Sequence, residues 1–147
     1  MKTIERYLLN TDTLPTIPTP HDCVVVEIKE DSEFLTFVFE DELNLHDSIE
    51  AIRPSAAGLT IRFHKSKYYA SDSVLYLRNI RRKRSGYRPV KLDELFRLTA
   101  HEDLEYLYHY VGYQGLIIKL WSWSCRNDIQ LELSTDYVEF EWEDERR

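Results

Sequence analysis

Ile129-Gln-Leu-Glu-Leu-Ser134 followed by Tyr137-Val-Glu-Phe-Glu-Trp-Glu143 puts an apolar residue at every second position. Successive side chains leave a strand on opposite faces, so a period of two marks a half-buried strand. Ile129, Leu131 and Leu133 share one face, and Val138, Phe140 and Trp142 form the second inward set. The intervening Ser134-Thr-Asp136 is short enough for a hairpin turn. The expectation is an acidic hairpin over 128–145, with Glu132, Glu139, Glu141 and Glu143 on its wet face. Asp128 to Glu145 holds eight acidic residues and neither Lys nor Arg.

Working outward, the chain of 147 residues fits one domain of the usual size. Its 43% hydrophobic and 13% aromatic content is enough for a full core without disulfide or metal staples. A net charge of −7 disfavours non-specific adhesion of the whole surface to nucleic acid or anionic membrane. Cys23 and Cys125 lie far apart, and neither has metal-ligand spacing to another Cys or His, so both read as core residues. No secretory leader pattern and no apolar run of membrane-spanning length occurs, which makes a cytoplasmic location the expectation.

The N-terminal 22 residues carry three prolines in Thr11-Asp-Thr-Leu-Pro-Thr-Ile-Pro-Thr-Pro20. This composition excludes helix and sheet interior and implies an extended arm, serving as a docking motif or as a strap across its own domain. Cys23–Lys29 and Glu33–Phe39 read as strands joined by a tight turn at Glu30-Asp-Ser32. Glu33–Phe39 has the pattern of a central strand, since Leu35, Phe37 and Phe39 lie on one face and Phe34 and Val38 on the other. Leu59–His64, Ser73–Ile80 and Gly115–Ser122 alternate as further strands.

One helix is expected at about 100–111. Thr99-Ala-His-Glu102 has the form of a capping box, Leu104, Leu107, Tyr108 and Val111 follow at helical spacing, and Gly112 suits a stop. The rival is a strand, because Tyr106, Tyr108 and Tyr110 alternate. Strands, one helix and strands again predict an α+β fold, with a mainly antiparallel, strongly curved sheet or half-barrel.

Two charge features compete for a functional reading. Arg78 to Arg88 holds six of the nineteen Lys and Arg residues and no acid. Arg81, Arg82, Lys83 and Arg84 suit phosphate or an acidic partner, with Tyr87 available to stack on a base. The opposing interpretation is a solvated hairpin tip, or pairing with the protein's own acidic face. Conversely, the carboxylates of the acidic hairpin suit a cationic protein partner. Trp121 and Trp123 share a face beside Lys119, as ordinary core or as an exposed anchor for a sugar ring or an interface.

Enzyme signatures are weak. His21, His46, His64, His101 and His109 form no metal-binding pair in sequence, and no phosphate-binding glycine loop or nucleophile elbow occurs. No cofactor is implied. A pair such as His64 with an aspartate would assemble only in space. The expectation is a small soluble non-catalytic interaction protein recognising a charged macromolecule, of the inhibitor or immunity type, with another protein as partner. The alternatives are a nucleic-acid-associated protein using the 78–88 loop, and a small-ligand binder or enzyme. The last would place its pocket between sheet and helix, with Tyr106, Tyr110 or His109 at the mouth. A homodimer is compatible with the pattern.

Overall fold

The computed structural model describes residues 2–66, 74–80 and 86–145. Among these, nine strands dominate: β1 (Lys2–Leu8), β2 (Cys23–Glu30), β3 (Phe34–Phe39), β4 (Ala56–Lys65), β5 (Val74–Asn79), β6 (Arg88–Val90), β7 (Leu104–Gly112), β8 (Gly115–Ser122) and β9 (Asn127–Asp144). Helical structure among the described residues is confined to α1 (Asp47–Glu50), α2 (Asp93–Leu98) and two single 3-10 turns at Leu43–Leu45 and Thr99–His101. The fold is therefore mainly β, with α2 as its main helix, rather than evenly α+β. The pairings of these strands are antiparallel throughout.

The sheet runs β4-β3-β2-β7-β8-β9-β5-β6, and β4 also pairs with β9, so six strands close into a ring. That ring is weakly joined between β2 and β7, where only Cys23↔Tyr106 and Val24↔Glu105 are in register. Curvature of the sheet agrees with the sequence expectation, and its ring-like path stops short of a barrel.

The acidic hairpin over 128–145 is corrected. Residues Asn127–Asp144 form one continuous strand of 18 residues. Its first half lies between β8 and β5, and its second half between β1 and β4. Each half therefore has its own partners and has no need of the other. The buried set still changes phase, from Ile129, Leu131, Leu133 and Thr135 to Val138, Phe140 and Trp142. Lys65 pairs with Thr135 and Phe63 with Val138, so Asp136 and Tyr137 together oppose the single residue His64. This is a β-bulge, which turns side chains to the other face as a tight turn also would.

The helix expected at about 100–111 is likewise corrected. Thr99 Oγ1 donates to Phe96 O at 2.7 Å instead of capping a new helix, and Glu102 turns left-handed at φ 54° to end the helical segment. Residues Leu104–Gly112 are β7, paired with β8 along its length. Gly112 and Gly115 close that hairpin around Tyr113-Gln114, with Gln114 at φ 51°. The strand preference of the three tyrosines is the informative signal, although a bulge parts Tyr106 from the face of Tyr108 and Tyr110, and the glycine belongs to a turn. With a strand at 104–112, the pocket expected between helix and sheet does not form there. Tyr106 is buried and Tyr110 faces solvent, so the two do not converge.

The N-terminal arm divides in two. Lys2–Leu8 is the edge strand β1, and the proline-bearing stretch crosses its own domain with Leu9, Ile17 and Pro20 buried. His109 fastens this strap: its Nε2 lies 3.1 Å from Ile17 O and its Nδ1 2.6 Å from the Tyr106 hydroxyl. Because a carbonyl only accepts, Nε2 carries the proton and Nδ1 accepts from Tyr106. Burial pushes the His109 pKa below its ordinary value, which favours this neutral form.

One core runs through the molecule, from Leu35, Phe37 and Phe63 to Ile118, Leu131, Phe140 and Trp142, with Leu95 and Leu98 of α2 added. Phe34 and Val38 are only half-buried, so β3 is not covered fully on both faces. Cys23 and Cys125 are free thiols, and burial pushes that of Cys23 up to about 12. No helix among the described residues is long and apolar enough to cross a membrane.

Candidate partner interface

The outer face of the β7-β8-β9-β5-β6 portion gathers aromatic side chains from adjacent strands. Register places Glu105, Trp121, Asp128 and Arg78 in one row across β7, β8, β9 and β5. The next row runs Tyr108, Lys119, Gln130, Tyr76 and Pro89, and the third runs Tyr110, Ile117, Glu132 and Val74. The facing follows from alternation: Leu116, Ile118 and Leu120 of β8 sink into the core, so Ile117, Lys119 and Trp121 turn outward. A one-residue bulge between Tyr106 and Tyr108 swings Tyr108 and Tyr110 out, while Tyr106 stays in.

Lys119 ties the middle of this face together. Its Nζ lies 2.8 Å from the Tyr87 hydroxyl and 3.2 Å from Asp128 Oδ1, and the Tyr87 hydroxyl donates to Asp128. Burial works against the ammonium, but the bonds to Tyr87 and Asp128 outweigh it and raise the Lys119 pKa above the ordinary lysine value. Arg78 lies over the same ring, 5.7 Å from its centroid, with Lys119 Nζ at 4.8 Å. Tyr87 thus engages two cations of its own chain while remaining 42% exposed.

Trp121 and Trp123 sit on this outer side rather than in the core. Their rings meet edge to face at 5.7 Å, Trp121 half-buried and Trp123 53% exposed. Trp123 belongs to the turn joining β8 to β9, which is braced by the Ser124 N–H donating to Asp103 Oδ2 at 2.6 Å. The Ile80 N–H donates to Arg126 O at 3.1 Å, which sets this turn against the outgoing end of β5. Arg78, Arg88 and Arg126, all exposed, are thereby brought to the end of the sheet that carries the two tryptophans. Neither the tryptophan pair nor the 78–88 segment announces the other in sequence. Arg81, Arg82, Lys83 and Arg84 lie outside the described residues.

The acidic residues are placed differently. Arg6 and Arg62 flank Glu139 in register from β1 and β4, and Arg6 Nε donates to it at 3.1 Å. Glu141 has Arg62 at 3.6 Å and Lys2 at 4.0 Å. Asp144 receives two bonds of 3.0 Å from Arg53, which holds its carboxyl below the ordinary aspartate range. Glu143 is exposed, and Glu132 is half-buried on the other portion of the strand, beside Ile117. The four glutamates named from the sequence therefore do not form one field. Two are matched by cations of the protein's own neighbouring strands.

His64 does meet an aspartate, with Nδ1 2.6 Å from Asp136 Oδ1, and Tyr137 stacks on the imidazole at 4.4 Å and 11°. These contacts pin the bulge. The surface depressions are shallow; two of them measure about 430 and 420 Å³, one walled by Val24, Val38 and Glu40, the other by His21, His46 and Asp47. Among the described residues no group of three or more His, Cys, Asp or Glu converges as a metal site.

Comparison with known protein families, curated proteins and solved structures found no match to this chain.

Proposed function

We propose that this protein is a non-catalytic recognition module that binds a negatively charged macromolecule at the cationic, aromatic end of its outer sheet. The carrying observation is the Ile80–Arg126 backbone bond, which joins the turn bearing Trp123 to the arginine-bearing β5–β6 pair. Trp, Tyr and Arg dominate binding energy at macromolecular interfaces, the rings because they bury much area at low entropic cost and Arg because its planar fork makes charge-assisted bonds. Here Trp121, Tyr108, Tyr110 and Arg78 stand on paired strands, which present them rigidly, while Trp123 and Arg126 lie in the turn between β8 and β9. Glu139 and Glu141 offer less to a cationic partner, since Arg6, Arg62 and Lys2 already answer their charge.

Retention on a sulfated polyanion resin tests the reading. A protein with a net charge of −7 should flow through at low salt unless a local cationic patch holds it. The expected result is retention that moderate salt reverses and that Arg78→Glu with Arg126→Glu abolishes. Flow-through of the unaltered protein, or retention indifferent to those changes, refutes it.

A further inference from the structure

We infer that residues 10–19 form a pH-operated strap, latched by His109 at neutral pH and released when that imidazole takes up a proton. The device is independent of the anionic-partner reading above. The strap is firmly attached at both ends. The Leu9 N–H donates to Asp136 O, Leu9 O accepts from the Gln114 N–H, and the Asp22 N–H donates to Tyr106 O, each at 2.8 Å. Between those points, among the described residues, the one hydrogen bond that ties residues 10–19 to the sheet runs from His109 Nε2 to Ile17 O at 3.1 Å. Pro15 and Pro18 have no N–H to give a ladder, so no strand takes up this stretch, and the latch grips a carbonyl between them. It stands beside the seam of the ring, where β2 and β7 share only two register pairs, and it holds the buried Ile17 against the core.

A proton on His109 works against this arrangement in two ways. Neutral His109 accepts from the Tyr106 hydroxyl at Nδ1. A proton placed on Nδ1 would confront that hydroxyl, which is buried among Phe37 and Phe39 and has no other hydrogen-bond partner among the described residues. The imidazolium would also lack a counter-ion. From Leu14 to Thr19 the strap carries no titratable side chain, and on β8 the residue beside His109 is Ile118. On β2 the neighbouring titratable group is the Cys23 thiol, and the carboxylates of Glu40, Asp22 and Glu105 act on that thiol rather than on the imidazole. Burial accordingly holds the His109 pKa below its ordinary 6.5 in the latched state. The latch is therefore intact above 6.5 and is lost as pH falls through the lower, latched value. At the base of the strap His21 lies 3.3 Å from Asp22, a contact that protonation tightens, so release is confined to residues 10–19.

Methyl NMR of the full chain labelled at isoleucine, titrated from about pH 8 to about pH 5, is the test. The expected result is that the Ile17 methyl signals move to exposed-chain positions in step with the His109 ring, while those of Ile118 and Ile129 stay in place. His109→Gln offers Ile17 O an amide N–H that cannot gain a charge, so Ile17 should stay buried throughout. Tyr106→Phe keeps the imidazole but removes the donor that favours its neutral form, and should move the transition to higher pH. Ile17 fixed while His109 takes up its proton, equal displacement in His109→Gln, or a transition unmoved by Tyr106→Phe overturns the latch. Joint movement of Ile118 and Ile129 overturns it as well, since that is acid unfolding of the whole domain.

Discussion

His64 Nδ1 lies 2.6 Å from Asp136 Oδ1 at the one point where β9 changes which of its faces is buried. The extra residue of the bulge stands opposite His64, which bonds to one member of the bulged pair and stacks on the other, Tyr137. Arg6 adds its guanidinium over Tyr137, 4.4 Å from the ring centroid. Three strands thus meet at the dislocation and hold its register.

An insertion distinguishes a bulge from a turn. Turns accept additional residues readily, whereas a strand paired on both edges does not. One glycine inserted after Asp136 would exchange Val138, Phe140 and Trp142 for Glu139, Glu141 and Glu143 on the inner face. Burying carboxylates in place of aromatics should abolish cooperative unfolding in a urea titration. Asp136→Ala, which removes only the bond to His64, should cost about 1–3 kcal/mol. An insertion variant that unfolds like the parent would contradict the continuous strand.

Reversing Glu139 probes the charge lattice of the second half of β9. Glu139→Lys puts a cation between Arg6 and Arg62, where like charges in register are destabilising. The expected loss is about 1 kcal/mol, a fall of roughly 2–6 °C in melting temperature for a domain of this size. Adding Arg6→Glu should restore much of it. A melt unchanged in the single variant would mean that the carboxylate faces solvent without a structural role.

Acid should weaken the link between Arg53 and Asp144. Hydrogen bonding to Arg53 lowers the Asp144 pKa below its ordinary 3.8 in the folded state. The stabilisation is therefore fully present above 3.8 and is lost as pH falls through the lower, folded value. Asp144→Asn should reduce stability by about 1–2 kcal/mol at neutral pH, and the gap to the parent should close below pH 3.8. Denaturant midpoints measured across that range give the comparison. A gap that persists undiminished in strong acid would assign the cost of the substitution to something other than this ion pair.

Much of the sheet is legible in the chain because alternation is a local property. The inward sets Leu116, Ile118, Leu120 and Val138, Phe140, Trp142 are all buried as their spacing requires. Misreadings fall where two structures share one local signature. A phase slip belongs equally to a hairpin and to a bulge, so Ser134-Thr-Asp136 reads as a turn. At 104–112, a capping-box pattern and a glycine outweigh three alternating tyrosines, although pairing with β8 rewards the strand.

The candidate site is legible only in fragments. Arg78–Arg88 and Trp121–Trp123 each stand out in composition, and nothing local connects residues some forty positions apart. Covalent order and side-chain period determined which residues face inward along each strand, because that depends only on near neighbours. Which strands lie side by side, which carboxylates find cations, and which aromatics meet arginines were decided by the closure of the sheet around the long β9. Those are non-local choices, settled by the burial of the whole core at once.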